Sequence, residues 1–126
     1  MASASLLLGL GTACKDSKTE GSTTGSSTPE NATAELVVGH FASLTGNTAH
    51  FGQDTDKAVR LAVEEQNAAG GLLGKQIRIV TLDDRGDSAE AANAVSRLID
   101  VEKATAILGE VSSSLSLAGG RVAQRR

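Results

Sequence analysis

The chain has 126 residues, of which 40% are hydrophobic and 21% charged, and its formal net charge is -3. This length accommodates one modest domain, and the acidic balance excludes the basic surface that nucleic-acid binding requires. The aromatic residues are two phenylalanines, so Val, Leu, Ile and Ala must fill the core, and the aromatic walls of a complete ligand pocket are lacking.

The first 14 residues have the pattern of an export signal. Their leucine-rich run is too short for a membrane span of about 20 residues but fits the apolar region of a signal peptide. Cys14, the single cysteine, ends the sequence Leu-Gly-Thr-Ala-Cys, which resembles a bacterial lipobox, although Gly11 occupies the usual Leu position and no Lys or Arg precedes the run. We expect residues 1–14 to be a signal peptide and lipobox with Cys14 lipidated; the alternative is a buried or stray thiol.

Residues 15–34 are rich in Ser, Thr and Gly and contain almost no large apolar side chains. Such a segment cannot bury enough surface to offset the entropy lost on ordering. We therefore expect a disordered tether that holds a soluble domain away from a membrane and lets it reorient.

Residues 35–126 alternate strand and helix patterns. Apolar runs at 36–42, 77–82 and 104–108 are separated by helical stretches of a dozen residues or more. This order is typical of βαβ units, so we predict an α/β fold with about three βα units on a parallel sheet. The first run is apolar on both faces apart from His40, which predicts a central strand.

The first helix is predicted from Gln53 to Ala69, with Asp54 and Asp56 near its N-terminal dipole and Gly70 at its C-terminal end. Its predicted buried face contains five residues: Ala58, Leu61, Ala62, Glu65 and Ala69, with Val59 and Val63 beside them. The following Gly70-Gly71-Leu72-Leu73-Gly74-Lys75 lacks the Ser or Thr of a phosphate loop, so we interpret it as a turn into the second strand.

Three acidic residues follow the second strand. Asp83, Asp84 and Asp87 gather at the carboxyl end of the strand, where α/β sheets place their sites, and such carboxylates can hold a hard cation. We favour loop and helix capping, with Asp87 and Glu90 forming a capping box. His40 and His50 have no ligand at metal-binding spacing, so no metal site is predicted.

The segment Gly109-Glu110-Val111-Ser112-Ser113-Ser114 follows the third strand and opens a helix. Hydroxyls and unpaired backbone N–H groups would converge there at the positive end of the helix dipole, which suits a carboxylate. Helix capping by serine alone is the alternative. The GxSxG elbow of esterases is absent, which argues against serine nucleophile chemistry.

Taken together, VGHFASLTG from Val38, Phe51-Gly52, NAAGGLLGK from Asn67, Asp83-Asp84 and the serine segment resemble the leucine/isoleucine/valine-binding proteins. These are the type I periplasmic binding proteins of branched-chain amino acid ABC transporters. The resemblance implies a Rossmann-like, three-layer lobe. It also implies that the chain, which is less than half as long as the family, carries in residues 35–126 a truncated N-terminal lobe.

The resemblance also implies a binding site. In that family two lobes close on an amino acid, and a serine in the stretch matching Ser112, Ser113 and Ser114 binds its α-carboxylate; Ser113 matches best. Phe51 matches an aromatic residue, in the loop after the first strand, that packs over the ligand.

The function that follows is ligand binding rather than catalysis. We expect a substrate-binding lipoprotein of an ABC importer for branched-chain or related amino acids, in the periplasm or at the cell surface, with permease subunits as partners, no cofactor and no nucleic acid. The alternative on the same scaffold is an extracytoplasmic sensor or an amide- or urea-binding relative. A dinucleotide-binding enzyme is disfavoured because GxGxxG is absent after the first strand.

Overall fold

The computed structural model describes residues 35–126, so the predicted signal peptide, Cys14 and the predicted tether lie outside the described residues. Three strands alternate with three helices. In chain order the elements are β1 (Leu36–Ala42), α1 (Ala49–Ala68), β2 (Ile77–Asp83), α2 (Ser88–Asp100), β3 (Ala106–Leu108) and α3 (Ser113–Ala123). Within this part of the chain, no helix combines the length and apolar character needed to cross a membrane.

The three strands form one parallel sheet in the order β2-β1-β3. Leu36 pairs with Ile77 of β2, and Val38 pairs with Ala106 of β3. The predicted parallel α/β fold with a central first strand is therefore confirmed. β3 is shorter than predicted: the Ala104 N–H donates to the Leu98 carbonyl of α2, the Thr105 N–H donates to Val37 of β1, and regular pairing begins at Ala106.

One face of the sheet carries the hydrophobic core, which α2 and α3 cover. Phe41 of β1 lies at its centre, and a Cβ atom on Gly119 would stand 2.6 Å from the Phe41 ring. A Cβ on Gly109 would stand 3.1 Å from the same ring, so these two glycines make room for the aromatic side chain. The buried members of the core are Phe41, Ala91, Ala94, Val95, Leu98, Leu115 and Val122.

Helix α1 packs on the opposite face, which completes the predicted three-layer arrangement. It begins at Ala49, four residues earlier than predicted, because Gly46 has a positive φ of 87° and its carbonyl accepts the N–H of Ala49. Phe51 and Gly52 therefore lie in the helix and not in the preceding loop.

The predicted buried face of α1 is wrong. All five residues assigned to it are exposed, whereas Val59 and Val63, which were predicted beside that face, are on the side facing the sheet together with Gly52 and Asn67. Polar contacts fix this orientation: the Asn67 amide donates to the Ile77 carbonyl at 2.8 Å and accepts the Ile77 N–H at 2.7 Å. Periodicity did not reveal the orientation, because it counts apolar residues and these contacts are polar.

The predicted role of Asp54 and Asp56 at the helix dipole is also wrong, because the earlier start of α1 leaves its first turn without acidic residues. Asp56 instead joins α1 to the sheet, accepting from the Thr81 hydroxyl at 2.6 Å and from Arg60 at 2.7 Å. Asp54 forms an exposed ion pair with Lys57.

Two predicted local signals are confirmed. Gly70 and Gly71 have positive φ, and Leu72 and Lys75 exchange backbone hydrogen bonds, so this segment is a turn. Asp87 caps α2 by accepting the N–H groups of Ala89 and Glu90. The second half of the capping box is replaced, because the N–H of Asp87 donates to the Asp84 carbonyl.

Candidate functional site

The segments that follow β1, β2 and β3 meet at the carboxyl edge of the sheet, where ligands bind in open α/β folds. Each segment contributes a polar residue: Ser43 after β1, Asp84 after β2 and Glu110 after β3. All three are buried, with Ser43 1%, Asp84 0% and Glu110 8% exposed. Hydrogen bonds among them hold the three segments together.

Asp83, the last residue of β2, fixes the loop after β1. Its carboxylate accepts the Thr45 hydroxyl at 2.6 Å and the N–H groups of Leu44 and Arg85, each at 2.9 Å. Burial acts to raise the pKa of Asp83, but these hydrogen bonds outweigh it and hold the pKa below its ordinary value of 3.8. Asp83 is therefore a charged anchor for the loop that leads into α1.

Glu110 is a site residue that the sequence reasoning missed. Its Oε1 accepts the N–H of Ser43 at 3.1 Å and the Ser43 hydroxyl at 3.0 Å, and its Oε2 accepts the N–H of Ser112. The side chain thus ties the start of α3 to the end of β1. The available signal was an acidic residue two positions after the apolar run that predicted the third strand, between Gly109 and Val111.

The acidic residues after β2 do not converge on one point. Asp83 holds the β1 loop, Asp84 contacts Ser43, and Asp87 caps α2. Their use in loop and helix capping, which we favoured over cation binding, is confirmed. His40 is fully buried in β1, whereas His50 is exposed on α1, and within residues 35–126 no three His, Cys, Asp or Glu side chains form a group that could hold a metal ion.

The serine segment begins α3, with Ser112 at the N-cap and Ser113 and Ser114 as the first helical residues. The Ser112 hydroxyl makes no capping bond and lies 3.1 Å from the Ser114 hydroxyl. Ser113 and Ser114 are exposed, and in the described part of the chain their backbone N–H groups have no acceptor. The N-terminus of α3 therefore offers hydroxyl and N–H donors to a ligand from solvent.

An open cleft of about 270 Å³ lies beside this helix end, lined by Thr48, Phe51, Glu110, Val111 and Ser112. The structure thus brings Phe51 and Ser112 into one cleft, whereas Ser113 and Ser114 lie outside its lining. Phe51 is 56% exposed, and its ring centre is 3.9 Å from that of His50. Two apolar walls, Phe51 and Val111, face solvent next to a helix N-terminus.

This geometry can be compared with known proteins. The chain is 36% identical over 92 residues to an amino acid binding protein of Pseudomonas aeruginosa, which covers 73% of this chain and 25% of that protein. It is 33% identical over 84 residues to a Leu/Ile/Val-binding protein homolog of Brucella abortus, which covers 67% of this chain and 22% of the homolog. The chain therefore spans about a quarter of the length of these relatives.

Solved structures of substrate-binding proteins are also similar to this chain. The branched-chain amino acid transporter substrate binding protein LivJ from Streptococcus pneumoniae, in complex with isoleucine, superposes with a TM-score of 0.70 at 34% identity and covers 72% of this chain and 26% of its own. A leucine binding protein, LivK, from Thermotoga maritima gives a TM-score of 0.66 at 37% identity and covers 71% of this chain and 25% of its own.

The family comparison covers the whole described part of the chain. The sequence model of the periplasmic binding protein family matches residues 35–126, the range that forms the α/β unit. The resemblance that the sequence motifs indicated is thereby confirmed, together with the type I periplasmic binding protein fold. The chain belongs to the periplasmic binding protein family.

Proposed function

We propose that this chain supplies one wall of the ligand site of an amino-acid-binding protein that serves an ABC importer, with a branched-chain amino acid as ligand. The observation that carries the proposal is the N-terminus of α3, where free N–H and hydroxyl donors adjoin an apolar cleft. An amino acid with an aliphatic side chain presents the complementary groups, a carboxylate and a hydrocarbon surface.

In this proposal the α-carboxylate lies at the start of α3 and accepts hydrogen bonds from Ser113 and the neighbouring N–H groups. Charge-assisted hydrogen bonds of this kind are about twice as strong as neutral ones. The aliphatic side chain packs against Phe51 and Val111, whose exposure in the open cleft leaves apolar surface to cover.

A second lobe completes the site. The cleft described here is open, and the described residues that line it provide one acidic side chain, Glu110, whose oxygens already accept hydrogen bonds from Ser43 and Ser112. The ligand's ammonium group and the far side of its side chain therefore need partners from outside residues 35–126. We propose that the protein works by closure of two lobes on the ligand and catalyses no reaction.

The partners and location follow the same proposal. Membership of the periplasmic binding protein family implies an extracytoplasmic location. We propose that Cys14 carries the lipid that anchors the protein to a membrane, that residues 15–34 act as the tether, and that the permease subunits of an ABC transporter receive the ligand. The two relatives with the words Leu/Ile/Val-binding or leucine binding in their names support the choice of ligand.

Binding by a two-lobed chimera tests the proposal. Residues 35–126 would replace the matching segment of the Streptococcus pneumoniae protein, with which they share 34% identity. Calorimetry with leucine, isoleucine and valine should show saturable binding by the chimera and none by the 126-residue chain alone. A folded chimera that binds none of the three, or a chain that binds leucine tightly by itself, would contradict the proposal.

A further inference from the structure

The three buried polar residues at the carboxyl edge of the sheet, Ser43, Asp84 and Glu110, make more short oxygen–oxygen contacts than the Ser43 hydroxyl proton can bridge. The Ser43 hydroxyl lies 2.9 Å from Asp84 Oδ1 and 3.0 Å from Glu110 Oε1. A hydroxyl has one proton, so it can donate to only one of these oxygens. If both carboxyls were ionised, one of the two contacts would bring two acceptors together without a proton between them.

One added proton satisfies both contacts. A protonated carboxyl can donate to the Ser43 oxygen, which leaves the Ser43 proton free to bond to the other carboxylate. Both short contacts then become hydrogen bonds, because the serine oxygen accepts from the protonated carboxyl and the serine hydroxyl donates to the ionised one. The remaining question is which of the two carboxyls carries the proton.

The surroundings of Glu110 favour its ionised form. Its two oxygens accept backbone N–H groups from Ser43 and Ser112 in addition to the Ser43 hydroxyl. Hydrogen bonds donated to a carboxylate stabilise the charged form. Glu110 therefore stands at the accepting end of the chain of hydrogen bonds.

The surroundings of Asp84 favour its neutral form. The residue is fully buried, its Oδ1 accepts one backbone N–H from Gly86 at 2.9 Å, and its Oδ2 has no hydrogen-bond partner among residues 35–126. A buried anionic oxygen without a donor costs more free energy than a buried neutral carbonyl oxygen. None of the ion pairs formed by residues 35–126 includes Asp84.

We propose that Asp84 is a carboxylic acid in the folded chain at pH values where an exposed aspartate is ionised, and that it donates to Ser43, which donates to Glu110. One proton thus links the segments that follow all three strands. Because Glu110 also holds the N–H of Ser112, this relay positions the start of α3 relative to β1. In this proposal Ser43 and Asp84 are positioning residues, and Glu110, which also lines the cleft, transmits their effect to the start of α3.

The electrostatic environment agrees with this assignment. Burial raises the pKa of Asp84 above its ordinary value of 3.8; the Gly86 N–H and the Ser43 hydroxyl oppose the rise, and the charges of Glu110 and Asp83 add to it. A raised folded-state pKa means that the stabilisation is complete below pH 3.8 and is lost as the pH rises through the folded value. Loss of the proton would place a second negative charge beside Glu110 in a buried site.

Carboxyl-carbon NMR of the whole 126-residue chain tests this inference without any ligand, so its result is independent of the proposed function. Asp84→Asn removes one signal and so assigns it. We expect the pKa of Asp84 to lie above its ordinary value of 3.8, and Glu110→Gln to lower that pKa by removing the neighbouring charge. An Asp84 pKa at or below 3.8, as in a chain that does not fold, would overturn the proposal, and so would a pKa that Glu110→Gln leaves unchanged.

Stability measurements provide a second readout that a purely structural role would not give. An asparagine amide can donate to Ser43, although its nitrogen cannot also accept the Gly86 N–H, so Asp84→Asn can lower stability at every pH. Because asparagine has no proton to lose, Asp84→Asn should abolish the decline in stability that we expect of the wild type above pH 3.8. Asp54→Asn should leave that decline unchanged. A decline that persists in Asp84→Asn would contradict the relay.

Discussion

Gly52, in the first turn of α1, lies directly against the backbone of Ser43, the residue that follows β1. A Cβ atom added to Gly52 would overlap with the Ser43 carbonyl oxygen and would stand 2.9 Å from the Ser43 backbone nitrogen. The neighbouring atoms belong to the backbone and cannot rotate away. The close approach of α1 to the candidate site therefore depends on the missing side chain.

We predict that Gly52→Ala destabilises the chain by about 1 to 3 kcal/mol, the usual cost of forcing extra atoms into a packed site. Gly120→Ala in α3 is the matched control, because a Cβ there would meet no atom of the described residues within 4 Å. The control should be neutral or stabilising by about 0.5 to 1 kcal/mol, since alanine favours helix. Urea unfolding measures the stability of both variants. Equal changes in the free energy of unfolding would argue against the close contact between Gly52 and Ser43.

The second prediction concerns acid stability and Asp83. Because the pKa of Asp83 is lowered, its contribution to stability is present above the unfolded value of 3.8 and is lost as the pH falls through the folded value. Asp83→Asn should cost about 1.5 to 3 kcal/mol at neutral pH, the range for hydrogen bonds to charged groups. It should also make the loss of stability below pH 3.8 shallower.

Two comparisons sharpen this test. Asp54 provides the control: its one partner among residues 35–126 is Lys57, in an exposed ion pair, so Asp54→Asn should change stability by less than about 1 kcal/mol. Asp56 also has a lowered pKa, because bonds from Arg60 and Thr81 outweigh its burial, so some loss in acid should persist in Asp83→Asn. Thermal melts at several pH values measure this loss. If stability falls as steeply at acid pH in Asp83→Asn as in the wild type, Asp83 does not anchor the loop.

The third prediction concerns the apolar wall of the cleft. In the two-lobed chimera, Phe51→Ala should weaken binding of leucine by up to about 1.5 to 3 kcal/mol, the value for burying a large apolar side chain. Leu61→Ala is the control, since Leu61 lies on the same helix and is equally exposed at 56%. Calorimetry measures both; similar losses would mean that Phe51 does not contact the ligand.

The fourth prediction concerns the anchor at Cys14, which lies outside the described residues. The precursor expressed in a bacterium should incorporate labelled palmitate and fractionate with membranes, because one acylated cysteine with more than one chain gives stable attachment. Cys14→Ser should lose the label and become soluble. Label that persists in Cys14→Ser would disprove lipidation at this residue.

The strands and turns followed from the sequence because their signals are local. β1 occupies the apolar run that predicted it, and the glycines from Gly70 to Gly74 adopt the positive φ values that a tight turn needs. Asp87 caps α2 as its spacing predicted. Each of these features depends on residues within a few positions of each other.

The errors arose where contacts distant in the sequence decide the outcome. The face of α1 is set by Asn67 and Asp56 binding to β2, which apolar periodicity does not register. Glu110 was missed because its partner Ser43 is 67 residues away. The serine segment was located correctly at the start of α3, but whether Ser113 binds a carboxylate remains a prediction.

The most direct test of the central claim compares Ser113→Ala with Ser88→Ala in the two-lobed chimera, because each serine is the first residue of its helix. Calorimetry would be run with leucine and with leucinamide, which lacks the carboxylate. We predict that Ser113→Ala weakens leucine binding by about 1.5 to 3 kcal/mol, that Ser88→Ala has no effect, and that leucinamide binds weakly to all three proteins. Leucine binding that is indifferent to Ser113→Ala, or leucinamide binding as tight as leucine binding, would contradict the proposed carboxylate site.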